Sequence, residues 1–274
     1  MYRLLALDLD GTVLSDDHTI SPRLEQAIKK AKEKYHVMIV TGRHHTAAKP
    51  YHQQLGLTTP AICCNGTYVY DFANHEVVAE DSLSKSDAHQ FYELANELDM
   101  KIVLYVTHSM MYSSSMPVDY IAPLVEWAEG YPEDDRPSIV QVDDFPEQID
   151  EAEYVWKFVA EGDPDNLKTL TNHPWVAKVF NGEQSWFNRV DYSAQGNSKG
   201  NRLAQYCKSL NIDASEVIAV GDNFNDLSMI TWAGLGAAMG NAADEIKQQA
   251  DLVCRTDSNG DGLAELIETA LLRE

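Results

Sequence analysis

The sequence predicts an α/β fold in which a doubly wound, parallel sheet forms the core and a second, α+β domain is inserted into it. Near both ends of the chain, short apolar runs alternate with helical segments, which is typical of parallel strands covered by helices on both faces. In the middle of the chain the segments are longer and alternate between apolar and polar residues, as half-exposed antiparallel strands do. The two patterns indicate two domains.

The predicted core strands are short apolar runs that contain no charged residue. They comprise residues 4–7, 37–40, 61–64, 217–220, 235–239 and 252–254. Helical patterns lie between them: one opens with Ser21-Pro22, another begins at Asn197, and a third begins at Asp226, just after an acidic turn. This alternation of strand and helix favours a doubly wound sheet.

The predicted inserted domain combines longer strands with helices. Its strand patterns are 101–107, 110–115, 153–162 and 177–188, and its helical patterns include 85–99 and 163–172. We therefore expect residues 1–82 and 187–274 to form the core and residues 83–186 to form the insert. A chain of 274 residues is long enough for this arrangement.

The charge of the chain excludes several classes of partner. The formal net charge is −22, from 21 Lys and Arg against 43 Asp and Glu, which argues against binding to nucleic acids and to anionic membranes. No apolar run approaches the ~20 residues that span a bilayer. Four cysteines lack CxxC or zinc spacing and are predicted to be reduced core thiols. We expect a soluble, cytoplasmic protein.

Polar side chains follow four of the predicted core strands. They are Asp8 and Asp10 in DLDGT, Thr41 in TGR, Asn65 in NG, and Asp222, Asn225 and Asp226 in GDNFND. Ligands of open parallel sheets bind outside the carboxyl ends of the strands. The four strand ends are therefore expected to converge on one site.

The residue types at these strand ends predict a metal and an anion. The carboxylates of Asp8, Asp10 and Asp222 would repel one another and raise one another's pKa values unless a cation held them. Hard oxygen ligands that leave room for water suit Mg²⁺. Thr41, through its hydroxyl and its backbone N–H, and Lys199 at the start of a helix can hold phosphate oxygens. The sequence therefore predicts a magnesium site with an anionic, phosphorylated substrate.

Four motifs of the chain resemble those of the haloacid dehalogenase (HAD) superfamily, in particular its Cof-type phosphatases. DLDGT resembles the first motif, TGR the second, Lys199 in NSKG the third and GDNFNDLSM the fourth, in the same order and spacing. The insert at residues 83–186 resembles the cap domain of that family. The resemblance implies a Rossmann-like HAD core with a cap that sets substrate specificity. It also implies a Mg²⁺-dependent phosphatase of small-molecule phosphomonoesters.

The resemblance further implies a role for each matching residue. Asp8 would be the nucleophile that forms an aspartyl-phosphate, and Asp10 the general acid and base. Mg²⁺ would be bound by Asp8, Asp222 and the backbone carbonyl of Asp10. The remaining matching residues would bind phosphate or substrate (Thr41, Gly42, Lys199 and Asn225) or support the site (Asp226 and Asn65).

Other functions stay open at this stage. A phosphotransferase or phosphomutase would share the aspartyl-phosphate but transfer the phosphoryl group to a sugar instead of water. A phospho-accepting signalling module also has an Asp at a strand end with Mg²⁺, but such modules have about 120 residues and no insert. The substrate is equally open, because the resemblance allows sugar phosphates, flavin mononucleotide and pyridoxal phosphate.

Residues 257–268, DSNGDGLAELIE, fit the pattern of a calcium-binding loop. The matching positions are Asp257, Asn259, Asp261, Gly262 and Glu268. The helix that enters such a loop is missing, because residues 251–256 are predicted to be a strand. We therefore expect a turn and a helix start, with Glu265 and Glu268 on the exposed face of the helix, and no calcium sensing.

The remaining candidates have simpler explanations. Arg43 is expected to be solvated at a helix start. His44, His45 and His52 lack the spacing of metal ligands on one helix face and are expected at the surface or the edge of the core. The tryptophans of the insert, at positions 127, 156, 175 and 186, are expected mostly to be core residues.

Overall fold

The computed structural model describes residues 1–272 and divides the chain into two compact units. Unit 1 contains Met1–Gly42, Tyr51–Val78 and the chain from Ser198 onward. Unit 2 contains Arg43–Pro50 and Ala79–Asn197. The borders predicted at residues 83 and 187 are thus displaced, and a short segment after Gly42 also belongs to unit 2.

The elements of both units are numbered along the chain. The strands are β1 (Leu4–Leu7), β2 (His36–Ile39), β3 (Ala61–Cys63), β4 (Tyr68–Asp71), β5 (Glu76–Glu80), β6 (Lys101–Val106), β7 (Met110–Ser113), β8 (Ile139–Val142), β9 (Val155–Glu161), β10 (Phe180–Trp186), β11 (Arg189–Ala194), β12 (Val217–Gly221), β13 (Leu235–Ala238) and β14 (Leu252–Val253). The α-helices are α1 (Pro22–Ala31), α2 (His45–Leu55), α3 (Lys85–Glu97), α4 (Ile121–Glu129), α5 (Phe145–Glu151), α6 (Pro164–Thr171), α7 (Pro174–Val179), α8 (Lys199–Ser209), α9 (Leu227–Trp232), α10 (Asp244–Lys247) and α11 (Gly262–Ala270).

The main sheet of unit 1 has the strand order β14-β13-β12-β1-β2, and all its neighbouring strands are parallel. Every residue of β1 is buried, as expected for an interior strand of a sheet covered on both faces. Helices α8 and α9 contribute Leu203, Cys207 and Met229 to the core cluster against this sheet. The predicted α/β fold with a parallel sheet is therefore confirmed.

Two of the predicted core strands differ from expectation. β3 pairs antiparallel with β4 and joins β2 only through a single parallel bridge between Val40 and Ile62. β14 is an edge strand, with Leu252 and Val253 exposed to 40% and 42%, because it has only β13 as a neighbour. The prediction that β14 is buried on both faces was wrong.

Helix caps fix the starts of two helices of unit 1. The Ser21 hydroxyl accepts a hydrogen bond from the Leu24 N–H before α1, and Pro22 occupies the first position of that helix. The Ser198 hydroxyl accepts from the Asn201 N–H, so α8 begins at Lys199. The side chain of Lys199 therefore starts from the first turn of a capped helix.

Unit 2 is built on a sheet with the strand order β10-β11-β9-β6-β7-β8. β9 is completely buried between β6 and β11, to both of which it runs antiparallel. The border predicted at residue 187 falls in the turn between β10 and β11, and because β11 pairs with β9, the chain stays in unit 2 until Asn197.

Three features of unit 2 differ from the sequence prediction. β7 and β8 are parallel, so the sheet is mixed and not purely antiparallel. The first part of the predicted strand 177–188 belongs to helix α7, which has Pro174 at its start. β9 is fully buried where a half-exposed strand was expected.

The four cysteines and three of the nine histidines lie in the interior. All four cysteines are buried and free, as predicted. His44, His45 and His52 are also buried, and burial lowers the pKa of His44 to about 3. The surface position considered for these histidines is therefore wrong. Within residues 1–272, none of the helices has the length and apolar character required to cross a bilayer.

Candidate functional site

Three carboxylates meet at the carboxyl ends of β1 and β12. Asp8 follows β1, whereas Asp222 and Asp226 follow β12, and the pairing of these two parallel strands brings the ends together. One carboxylate oxygen of each residue lies within 4.8 Å of the others. In the described part of the chain, no other group of three His, Cys, Asp or Glu side chains meets this criterion.

Lys199 connects two of these carboxylates. Its Nζ donates hydrogen bonds to Asp8 Oδ1 at 2.7 Å and to Asp226 Oδ1 at 2.6 Å, and the residue is only 1% exposed. Burial alone would lower the pKa of the ammonium, but the charges of Asp226 and Asp8 outweigh burial and raise it. The lysine is therefore a fixed positive charge beside Asp8.

Asp226 accepts three hydrogen bonds within the protein. In addition to the Lys199 bond on Oδ1, its Oδ2 accepts from the backbone N–H groups of Asp222 at 2.9 Å and Asn223 at 3.0 Å. The side chain is completely buried. Asp226 thus holds the loop after β12 in place and orients Lys199, which suits the supporting role predicted for it.

Asp8 and Asp222 are the two carboxylates of this group that the sequence prediction assigned to a cation. Burial and the charge of Asp226 raise the pKa of Asp8 well above its usual range, although Lys199 opposes the shift. The same two causes raise the pKa of Asp222 to about 7. Both shifts mean that ionised carboxylates are unfavourable here without a neighbouring positive charge.

The sequence prediction missed two side chains that hold Asp222. The Asn241 amide donates to Asp222 Oδ2 and to the Gly11 carbonyl, both at 2.9 Å, and the Thr12 hydroxyl donates to Asp222 Oδ1 at 3.4 Å. Gly11 has φ +76°, and a Cβ at this position would lie 2.4 Å from Asp222 Oδ2. Asn241 could have been found from the sequence, because it follows β13 as the other polar site residues follow their strands.

Replacing Asn241 with alanine should weaken Mg²⁺ binding by about 10–100-fold, the usual effect of removing a group that orients a metal ligand. The loss follows because the Asp222 carboxylate is then free to rotate. Calorimetric titration of the protein with Mg²⁺ measures the change. Asn223→Ala, at an exposed position nearby, is the control and should bind Mg²⁺ within about threefold of the parent. Equal affinities of parent and Asn241→Ala would contradict this role.

The predicted phosphate-binding residues form a hydrogen-bonded group. Asn65, in the left-handed conformation at φ 57°, donates its backbone N–H to the Thr41 carbonyl and accepts from Asn225 Nδ2 at 3.1 Å. A Cβ on Gly42 would lie 2.8 Å from Asn65 Oδ1, so glycine leaves room for this side chain. The Thr41 N–H donates to the Ile62 carbonyl, which corrects the expectation that this N–H is available to phosphate.

Asn225 has one unused polar atom. Its Oδ1 is buried and accepts no hydrogen bond from any residue between 1 and 272. A buried amide oxygen without a partner is uncommon in proteins. The bond from Asn225 Nδ2 to Asn65 Oδ1 fixes this orientation of the amide, since the reverse orientation would place two acceptor oxygens opposite each other.

The Asp10 side chain lies apart from the acidic group. It is half-exposed, and its Oδ1 is 3.8 Å from His18 Nδ1. Asp10 is two residues after Asp8, beyond the end of β1, so its side chain leaves the sheet where that of Asp8 stays buried. The side chains of Asp8 and Asp10 thus have different environments, the first buried and the second half-exposed.

Arg43 and the calcium-like loop both contact other residues of the protein. The Arg43 guanidinium lies 5.0 Å from the centre of the Trp127 ring, a cation–π contact in unit 2, so Arg43 is not simply solvated. Glu268, which would be the essential ligand of a calcium loop, is half-buried and pairs with Arg23 at 2.8 Å. Asn259 donates its amide to Asp16 at 3.0 Å. Arg23 also pairs with Asp261 at 3.3 Å, so Asn259, Asp261 and Glu268 of the loop all have protein partners.

Comparison with known families identifies the chain. The family model described as haloacid dehalogenase-like hydrolase matches residues 5–267. The pyridoxal phosphate phosphatase YbhA of Escherichia coli K12 is 39% identical over 98% of this chain and 99% of its own length. The putative phosphatase YxeH of Bacillus subtilis 168 is 31% identical, with 99% of each protein covered. These findings confirm the resemblance to Cof-type members of the superfamily.

Solved structures agree with this relationship. A haloacid dehalogenase-like hydrolase from Bacteroides thetaiotaomicron superposes with a TM-score of 0.84 and 26% identity, over 98% of this chain and 100% of that one. A haloacid dehalogenase-like hydrolase from B. subtilis has a TM-score of 0.83 at 24% identity and shows the shared fold. The chain belongs to the haloacid dehalogenase-like hydrolase family, as an enzyme of the phosphoric monoester hydrolase class.

Proposed function

We propose that the protein is a Mg²⁺-dependent phosphatase that hydrolyses small phosphomonoesters through an aspartyl-phosphate on Asp8. The observation that carries the proposal is the arrangement of Asp8, which is buried beside the ammonium of Lys199 and within reach of Asp222. A carboxylate fixed by a cation can serve as a nucleophile, and the positive charge of Lys199 also favours an approaching phosphoryl group.

Mg²⁺ fits the donor set at this site. Asp8 and Asp222 offer carboxylate oxygens, the hard ligands that Mg²⁺ prefers, and burial together with the charge of Asp226 raises the pKa of both. Asp226 accepts three hydrogen bonds, from Lys199 and from two backbone N–H groups, and we assign it to orienting Lys199 and the loop after β12. The backbone carbonyl of Asp10 would complete the protein ligands. When bound, Mg²⁺ supplies positive charge that neutralises the phosphoryl oxygens.

The protein residues divide the reaction into two steps. Asp8 attacks the phosphorus atom, a bond from its carboxylate oxygen to phosphorus forms, and the bond from phosphorus to the alcohol oxygen breaks. Asp10 gives its proton to the departing alcohol. In the second step a water molecule attacks the phosphorus of the aspartyl-phosphate, its proton passes to Asp10, and phosphate leaves with Asp8 restored. Lys199 keeps the Asp8 carboxylate in one orientation throughout.

Pyridoxal phosphate is the first substrate to test. The relative that is 39% identical over nearly the full length of both chains is named for its activity on this compound. Selectivity among phosphomonoesters is assigned to unit 2, the cap of the sequence prediction, because the residues proposed for the chemistry all belong to unit 1. No nucleic acid and no membrane is proposed as a partner.

Phosphate release from a panel of phosphorylated metabolites tests the function. Pyridoxal phosphate, flavin mononucleotide, hexose phosphates and p-nitrophenyl phosphate should be compared with Mg²⁺ present, and pyridoxal phosphate is expected to have the highest kcat/KM among the metabolites. An added alcohol acceptor separates hydrolysis from transfer, because a phosphotransferase would form a new phosphate ester. Hydrolysis of no member of the panel would refute the proposal.

Magnesium binding should depend on pH through Asp222. Its pKa of about 7 lies above the ordinary value of 3.8, so protons compete with the metal below pH 7. The apparent dissociation constant of Mg²⁺ should rise by about tenfold for each pH unit below 7 and be nearly constant above pH 8. Calorimetric titrations between pH 5.5 and 8.5 measure this dependence.

The same shift fixes the sign of the stability change. Without metal, the folded protein takes up a proton as the pH falls through 7, whereas the unfolded chain does so only near 3.8, so stability should increase from pH 7 to about pH 4. Mg²⁺ should remove this increase.

Ca²⁺ should bind but not support turnover, because its coordination is longer and less regular. Glu268→Gln is the control for the calcium-like loop. It should leave both the phosphatase activity and the response to Ca²⁺ unchanged.

A further inference from the structure

The turn between β3 and β4 has a left-handed backbone. Three consecutive residues, Cys64, Asn65 and Gly66, have φ values of +49°, +57° and +94°. Residues other than glycine rarely adopt this conformation, and they keep it only where the surrounding structure stabilises it. Contacts from outside the turn must therefore hold it in place.

Arg202 binds two consecutive carbonyl groups of this turn. Its Nε donates to the Gly66 carbonyl oxygen at 2.8 Å, and its Nη2 donates to the Thr67 carbonyl oxygen at 3.1 Å. The residue is 5% exposed, and its Nη1 donates to Gln205 Oε1 at 2.8 Å within the same helix, α8. A planar guanidinium that donates several hydrogen bonds fixes the direction of its acceptors, which a lysine ammonium does not. Arg202 therefore fixes the turn relative to α8.

Helix α8 also approaches the turn through its backbone. A Cβ at Gly66 would lie 2.2 Å from the Ser198 carbonyl oxygen, so glycine is required for this close approach. The side chain of Ser198 caps the helix, and its carbonyl oxygen accepts from the Arg202 N–H at 3.1 Å. The turn thus packs directly on the first turn of α8.

Lys199 and Arg202 are neighbours on α8, because they are three residues apart. Lys199 binds the carboxylates of Asp8 and Asp226, whereas Arg202 binds the turn after β3. One capped helix therefore sets the positions of both the acidic group and the turn.

Asn65, in the middle of the turn, connects the carboxyl ends of two strands. Its backbone N–H donates to the Thr41 carbonyl oxygen at 3.0 Å, and its Oδ1 accepts from Asn225 Nδ2 at 3.1 Å. Thr41 follows β2 and Asn225 follows β12, and β1 lies between these two strands in the sheet. A residue that bonds to both neighbours of β1 lies close to the end of β1, where Asp8 is found.

The amide of Asn65 has a donor left for a ligand. Its Oδ1 accepts from Asn225, and no residue between 1 and 272 accepts a hydrogen bond from its Nδ2. The residue is only 5% exposed, and an amide N–H₂ at such a position normally has an acceptor. Close to the proposed nucleophile, the acceptor that fits is an oxygen of a phosphoryl group.

We propose that Arg202 is a positioning residue for phosphate: it holds residues 64–67 so that Asn65 Nδ2 donates a hydrogen bond to the phosphoryl group. This inference rests on the proposed phosphatase function and deepens it, because it adds a contact to the substrate and identifies the residue that orients this contact. Asn65 touches the ligand, whereas Arg202 acts through Asn65.

Calorimetric titration with inorganic phosphate, in the presence of Mg²⁺, tests the proposal on the full-length protein. Asn65→Gly removes the amide, and glycine accepts the left-handed conformation. It should weaken phosphate binding by about 10–100-fold, the usual effect of losing a hydrogen bond to a charged group. Arg202→Gln should weaken binding by about 5–50-fold, because the amide loses its orientation. In Asn65→Gly/Arg202→Gln, the arginine change should weaken binding by no more than about twofold relative to Asn65→Gly.

A matched control lies at the other end of the same helix. Lys208 is exposed, so Lys208→Gln removes one positive charge from α8 without touching the turn, and phosphate should bind within about twofold of the wild type. Wild-type affinity of either Asn65→Gly or Arg202→Gln would overturn the proposal. So would single effects that multiply in the double variant, because the arginine would then act independently of Asn65.

Two further measurements keep the test decisive. If Arg202→Gln does not fold, Arg202→Lys replaces it in the same comparison, since an ammonium keeps the charge but not the planar, multiple hydrogen bonding. In ¹⁵N-labelled wild-type protein, the side-chain amide signal that is missing from Asn65→Gly should shift when phosphate is added. An amide signal that does not respond would overturn the proposal. The proposed function fails separately if phosphate binds as described but no phosphomonoester is hydrolysed.

Discussion

Asp8→Asn should reduce turnover to the uncatalysed background with every phosphomonoester, and no phosphoenzyme should form. The variant removes the proposed nucleophile and one of the two side-chain ligands proposed for Mg²⁺. An exposed neighbour, Asp17→Asn, serves as the control and should keep the activity of the parent within about twofold. Substantial turnover by Asp8→Asn would exclude nucleophilic catalysis and favour direct attack by water.

Asp10→Asn should behave differently, because it keeps the nucleophile and removes only the acid and base. Turnover of an alkyl phosphate should fall by about 10²–10⁴-fold, since the alkoxide needs a proton to leave. An ester of an acidic phenol needs no such proton, so its first step should continue and the aspartyl-phosphate should accumulate. Mass spectrometry should detect one added phosphoryl group that hydroxylamine removes. Its absence in Asp10→Asn would contradict the assignment of Asp10.

Lys199→Met should lower the free energy of unfolding by about 3–5 kcal/mol, the usual effect of removing one partner of a buried charge pair. Asp8 and Asp226 both lose the ammonium that compensates their burial. Denaturant unfolding in the absence of metal measures the change, and phosphate release should fall in parallel. Lys29→Met, which breaks only a surface pair with Glu25, is the control and should cost no more than about 1 kcal/mol.

The double variant Lys199→Met/Asp226→Asn separates charge from packing. If the unpaired charge of Asp226 causes part of the destabilisation, the second change should restore part of the stability, because it removes a buried carboxylate that has lost its cation. A loss of less than about 1 kcal/mol in Lys199→Met would show that the two buried carboxylates do not depend on the lysine.

The sequence predicted two of the three members of the acidic group, and Asp226 takes the place that was expected for Asp10. Asp8 and Asp222 each follow an apolar strand, and parallel pairing of β1 with β12 places both strand ends at the same edge. Ligands of open parallel sheets bind at this edge, so the positions of Asp8 and Asp222 could be predicted without a structure. Lys199 was equally predictable, because a Ser cap fixes the start of its helix.

Other features depend on contacts that the sequence does not encode locally. The Thr41 N–H donates to the Ile62 carbonyl because β3 approaches the end of β2. β3 itself belongs to a different, antiparallel sheet. The exposure of β14 depends on its place at the edge of the sheet, since an apolar composition is the same for edge and central strands. The burial of His44 depends on β6, whose Val106 carbonyl oxygen lies beside its ring.

The order of the strands has a consequence for synthesis of the chain. β1 lies between β2 and β12, and Leu4 pairs with Val217, which comes 213 residues later (217 − 4). At typical rates of synthesis, roughly 10–40 s separate these two residues on the ribosome. Unit 2 is therefore complete before the central strand pair of unit 1 can form, and one side of β1 must wait, unpaired, for the last third of the chain.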